Sequence, residues 1–265
     1  MKRVIVAVLT LLAGVAAVQF AGGTPVDGHA IRDPLVERFL ARSETPLRAY
    51  RAIRTLRAVN RRFHTEGALE AETEFSADEG FRYTIVRESG SALVRRRALY
   101  AVLREEQELW ARGGSDRAAL SPGNYAFGPA VPAADRSGER VFTIPLAPAR
   151  REPLLVDGEV RVTEDGDLRA VSGRLVKNPS WWTHRVDVVR EYARIAGVRV
   201  PVATRSTAHL RLVGRSEFEM TYRYESINGV SVVEPPTVPS GLAPSGPAGD
   251  AGMPSSPDGW APMLR

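Results

Sequence analysis

From Ala92 to Arg112 runs the one long helical pattern in the chain, and on either side of it the residues alternate with the period of a β-strand. That arrangement excludes most folds at once. Parallel strands need a crossover of a dozen or more residues, usually a helix, between each pair. A single long helix among many strand runs and short turns therefore leaves antiparallel pairing. Ser91 suits the helix N-cap and Gly113-Gly114 stops it. At about 100° per residue, Val94, Ala98, Leu99, Ala101, Val102, Leu103, Leu109 and Trp110 cover half the circumference, with Arg96, Arg97, Arg104, Gln107 and Glu108 opposite. So broad an apolar face suits a helix lying against a curved sheet.

The strand runs are legible in turn. In Ala68 to Ser76, Leu69, Ala71, Thr73 and Phe75 alternate with Glu70, Glu72 and Glu74, the mark of a half-buried strand. Ala77 to Gly80 makes a turn and Phe81 to Arg87 is the partner strand; Arg48 to His64 reads as a strand that turns at Glu66-Gly67. Beyond the helix, strands are expected near Tyr125 to Val131, Arg140 to Ala147, Leu154 to Thr163, Leu168 to Val176, Thr183 to Ile195, Val200 to Arg211 and Arg215 to Tyr224. Asp157-Gly158 suits a bulge, and Glu164 to Asp167, Ala196-Gly197 and Val213-Gly214 are tight turns. A short helix precedes all of these, capped by Asp33 with Pro34 at its first position, its face formed by Leu35, Val36, Phe39 and Leu40.

Both ends have a different character. Lys2 and Arg3 precede an uncharged, mostly apolar run from Val4 to Phe20, followed by Ala21, Gly22 and Gly23, the layout of a secretory signal or membrane anchor over residues 1–23. The protein is therefore expected in the periplasm or otherwise exported. Residues 28–230 form the folded domain. Past Asn228-Gly229, eight prolines between Pro235 and Pro262 mix with glycine, serine and alanine. Such a segment buries too little surface to offset its ordering entropy, so 231–265 is expected as a disordered tail. With no cysteine, disulfides and a lipid-modified cysteine are excluded, and stability must come from a packed core.

The net charge of +5 raises nucleic acid or anionic membrane as partners. Only Lys2 and Lys177 are lysines, and the arginines are scattered among carboxylates without aromatic interleaving, so no nucleic-acid partner is expected. Arg95-Arg96-Arg97 is the one basic cluster. It stands near the helix start, where the macrodipole disfavours cations; an anionic lipid headgroup is its functional reading, and arginine-rich composition the plainer one, which is preferred. No catalytic or metal motif is present. His29, His64, His184 and His209 lack ligand spacing, and no nucleophile elbow, Walker loop or dinucleotide fingerprint occurs. Glu70, Glu72 and Glu74 share one strand face and read as solvated, within reach of Arg57 and Arg61. No enzyme activity, cofactor or metal is expected.

Asn178-Pro179-Ser180-Trp181-Trp182 places two adjacent tryptophans after a loop, one of them directed outward if the segment is extended. The order of elements, with Leu155 to Gly158, Gly173-Arg174-Leu175 leading into Asn178 to Trp182, Val186 to Tyr192 and Gly197 to Pro201, resembles the bacterial outer-membrane lipoprotein-sorting proteins (LolA/LolB-like). The resemblance implies an α+β fold: a strongly curved antiparallel sheet, an incomplete barrel, with a long helix against its concave face and an apolar cavity between them. It further implies a carrier that binds a hydrophobic ligand, acyl chains or a lipoprotein. Val94, Val102, Leu109 and Trp110 are the candidate lining, with Trp181 or Trp182 at the rim. The chain is expected as a monomer, with an envelope protein partner as the alternative to bound lipid; a hydrolase with an unrecognised site is the remaining class.

Overall fold

In the computed structural model, residues 33–111, 119–134, 138–152, 155–178, 183–212 and 214–233 are described. The expected signal, most of the tail, and Trp181 and Trp182 lie outside them. Helix α1 (Pro34–Ala41) begins where expected: one Asp33 carboxylate oxygen accepts the Leu35 and Val36 N–H groups, and the other accepts Ala130 N–H at 2.8 Å. The cap thus also ties α1 to a distant loop.

Strands β1 (Ala49–Asn60), β2 (Thr65–Ser76) and β3 (Gly80–Gly90) form a meander. Their first turn lies at residues 61–64, earlier than the expected Glu66-Gly67. Asn60 Oδ1 accepts Phe63 N–H and His64 takes a positive φ, so the turn needs no glycine. Gly67 sits within β2, where a Cβ would come 3.0 Å from Val94 Cγ1; its smallness lets the helix start lie down on the sheet. The helix itself is not uniform. An α turn, α2 (Ala92–Val94), runs into a π segment (Arg95–Leu99) and then α3 (Tyr100–Ala111).

The remaining strands are β4 (Tyr125–Phe127), β5 (Val131–Ala133), β6 (Val141–Pro148), β7 (Val156–Thr163), β8 (Leu168–Leu175), β9 (Thr183–Ile195), β10 (Val198–Leu210), β11 (Gly214–Ile227) and β12 (Val230–Ser231). The run expected as one strand over Tyr125 to Val131 is split into β4 and β5 at Gly128, which packs against the Pro145 ring. All pair antiparallel in one sheet ordered β3-β2-β1-β11-β10-β9-β8-β7-β6-β4, with β12 on β11 and β5 on β6. The sheet is not closed, so this is the expected incomplete barrel. Register shifts in the β1–β11, β2–β3, β7–β8 and β9–β10 pairs bend it. Gly158 is not itself a bulge. It pairs in register with Gly173, and a Cβ on it would lie 2.1 Å from Ser172 O, so the two backbones cross too closely for any side chain.

One face of the sheet is the inside. A single row crosses eight strands, Leu69–Leu56–Met220–Thr204–Arg190–Val171–Val160–Ile144. It is apolar at both ends and polar in the middle, and it divides the interior in two. The long helix covers the part formed by β1–β3, β10 and β11; α1 covers the part formed by β4 and β6–β8, with Phe39 fully buried. Among the described residues no helix is long and apolar enough to cross a membrane.

Candidate ligand-binding site

Alternation along β1 puts Tyr50, Ala52, Arg54, Leu56 and Ala58 on the inner face. Four of these are core residues. The fifth, Arg54, is 1% exposed and has no route to water, so its charge must be met inside. The helix meets it. Leu99, Val102 and Leu103 lie on the stripe that α3 turns to the sheet, and one turn further the same stripe presents Glu106, 3% exposed. Arg54 Nη1 donates to Glu106 Oε2 at 2.5 Å and Nη2 to Oε1 at 2.9 Å, a bidentate pair. Arg54 Nη2 also donates to the Tyr50 hydroxyl. The guanidinium lies 4.6 Å from the Tyr222 ring centroid and 4.8 Å from that of Phe81.

Burial alone would lower the Arg54 pKa, but Glu106, Tyr50 and Tyr222 outweigh it and hold the group well above its ordinary value. The Tyr50 hydroxyl is pushed far up by burial, against the pull of Arg54. Arg54 is therefore a permanent cation and Tyr50 a permanent neutral hydroxyl. Arg54 Nε and Trp110 Nε1 are buried without hydrogen-bond partners among the described residues. The pair fixes the helix to the inner face of the sheet through a charged, fully buried contact.

The candidate lining residues are distributed unevenly around this pair. Val102 is fully buried in the cluster under the helix, and Val94 and Trp110 are half-buried against it. The Trp110 and Phe75 rings lie 4.2 Å apart. Leu109 is half-buried and lies outside that cluster. Trp181 and Trp182 fall on residues that are not described. The Arg54–Glu106 pair escaped the sequence reading, although its signal was there: an arginine on the apolar parity of a strand and a glutamate on the apolar stripe of a helix.

The outer face behaves as a solvated surface. Register sets Arg51 opposite Glu74, and these pair at 3.1 Å. Arg57 and Arg61, expected beside the glutamate row, instead hold Glu66 and Glu217. Arg205 bridges Glu191 at 2.8 Å and Glu219 at 3.0 Å. At the helix start Arg95 pairs with Glu88, which also accepts the Tyr100 hydroxyl; that bond first, and Arg95 after it, lowers the Glu88 carboxyl. Among the described residues no group of three His, Asp or Glu side chains is placed to hold a metal ion.

No family model matches the chain, and no curated protein matches it. The fold is similar to that of the LolA superfamily protein NE2245 from Nitrosomonas europaea, at 11% identity over 71% of this chain and 89% of that one, with a TM-score of 0.35. It is also similar to a DUF1329 family protein from Desulfovibrio piger, at 8% identity over 72% of this chain and 92% of that one, with a TM-score of 0.34.

Proposed function

We propose that this is an exported, non-catalytic carrier-like protein that holds acyl chains of a lipid or lipoprotein in an apolar space opened between the long helix and the inner face of the sheet. The observation that carries the reading is the Arg54–Glu106 pair at that interface. A helix meant only to close a core is better held by apolar packing, because desolvating two charges offsets most of their attraction. A buried pair gives the helix one defined seat at little net gain in stability. The π segment at Arg95–Leu99 supplies a point of altered helical winding about two turns before Glu106. A helix seated in this way can part from the sheet when hydrocarbon takes its place. Val94, Val102, Leu109 and Trp110 then line the space, and Trp181 or Trp182 its rim.

The test is native mass spectrometry of the protein purified from a periplasm, followed by binding of fluorescent fatty acids and a triacylated peptide. The carrier reading expects a co-purified acyl-chain ligand and saturable binding. A ligand-free protein that binds neither probe would reject it. The second reading, an envelope interaction protein without bound lipid, is favoured by the complete burial of Val102 in a packed cluster; it expects a crosslinked protein partner instead.

A further inference from the structure

We infer that one end of the sheet docks on an anionic lipid surface through three apolar tips set among arginines. Register brings the tips to the same end. The β1–β2 turn follows the Asn60–Thr65 pair, the β10–β11 turn follows the Leu210–Gly214 pair, and the helix starts just past the Gly67–Gly90 pair. The two turns are joined, because Arg61 N–H donates to Arg215 O at 3.1 Å and Arg62 Nη1 to Leu212 O at 3.1 Å. Each site presents one large apolar side chain to solvent: Phe63 at 56%, Leu212 at 60% and Leu93 at 58% exposure. None of the three belongs to the buried core clusters.

The charge around them is one-sided. Residues 60–67, 90–97 and 209–216 carry seven arginines (61, 62, 95, 96, 97, 211 and 215) and a single carboxylate, Glu66, which Arg57 holds. Arg61 and Arg215 are paired with Glu217, and Arg95 with Glu88. Arg62 and Arg211 make no ion pair among the described residues. At the opposite end the β2–β3 and β7–β8 turns carry Asp78, Glu79, Glu164, Asp165 and Asp167, and Arg82, Arg140, Arg42 and Arg194 pair with the last four in turn. The fold thus gathers an excess of arginine at the tip end, whereas the charges of the far-end turns are largely matched. A molecule so polarised presents its basic end to an anionic surface. The same surface gives Arg96 and Arg97 a purpose that helix stability does not, since the macrodipole opposes them there; Arg95 is already held by Glu88 and the Gly90 carbonyl.

The shape of the patch selects a lipid surface over a folded partner. Protein interfaces bury a contiguous apolar centre. Here each apolar side chain sits at the tip of its own turn or helix start with arginines beside it in sequence, an arrangement that a fluid headgroup region accepts without complementary shape. This docking does not depend on the carrier reading; either can fail alone.

The test is flotation of the exported full-length protein with vesicles of phosphatidylcholine alone, or with about a third phosphatidylglycerol. Every variant shares the wild-type termini, so differences report the tips. Wild type should bind the anionic vesicles more strongly. R62Q/R211Q should lose roughly fivefold in partitioning per arginine. F63S/L212S should bind more weakly, and its residual binding should be fully released by salt. D78N/E79Q, at the far end, should match wild type. All three change exposed side chains, and matching thermal midpoints would show intact folds. Equal binding by all variants, or no preference for anionic vesicles, would overturn the proposal. So would binding to neither vesicle with loss of a crosslinked protein partner in the tip variants. Fatty-acid uptake by the same variants in vesicle-free solution reads the carrier proposal separately.

Discussion

Arg54 and Glu106 make the most consequential contact in the molecule because neither can reach water alone. Arg54→Ala leaves a buried carboxylate without its cation, and should cost about 3–5 kcal/mol of unfolding free energy. The double change R54M/E106L removes both charges and should be neutral or stabilising by about 1–4 kcal/mol. Urea midpoints of the three proteins decide it: a double variant as unstable as the single one would show that the pair itself holds the fold. Asp33 is a smaller case with a pH signature. Its carboxyl is held below the ordinary aspartate range, first by the Ala130 N–H and, against burial, by those of Leu35 and Val36. A lowered folded-state pKa means stability present above the unfolded value of about 3.9 and lost as pH falls through the folded one. Asp33→Ala should therefore cost about 1–2 kcal/mol at neutral pH. Its difference from wild type should shrink as the pH drops below about 4. A constant difference across that range would remove the charge from the account.

Among the elements, the long helix joins stability to function. In the carrier account R54M/E106L, by making the contact wholly apolar, seats the helix more firmly, so acyl ligands should bind it more weakly than wild type. Equal or tighter binding in a fluorescence titration would mean that the helix does not have to move. Strands and this helix were legible because their periods of two and about 3.6 are written directly in Leu69 to Phe75 and Leu99 to Leu103. What escaped depends on partners far along the chain. The β1–β2 turn rests on an Asn60 side-chain bond and a left-handed His64, with no glycine or proline to mark it. Gly158 is required by Gly173, fifteen positions away, and neither implies the other locally. The surroundings of the helix were legible in part for the same reason. Val94, Val102 and Trp110 follow from the helix face, whereas pairing Arg54 with Glu106 needs the fold that places them 52 residues apart yet in contact.

At the scale of the whole molecule, an open sheet with two apolar regions and a buried polar strip at Thr204 and Arg190 is held by one continuous set of strand pairings. Limited proteolysis should trim the tail to about Val233, just past β12, and leave the sheet resistant. A protease-resistant fragment that retains Trp260 would contradict the assignment of the tail. The central claim is that hydrocarbon is buried beneath the helix, and the dependence of affinity on acyl chain length tests it most directly. Burial at about 0.8 kcal/mol per methylene predicts affinity rising roughly fourfold with each added carbon until the space is filled, with little effect of salt. An affinity that stays flat along the series, or that collapses with salt, would contradict it.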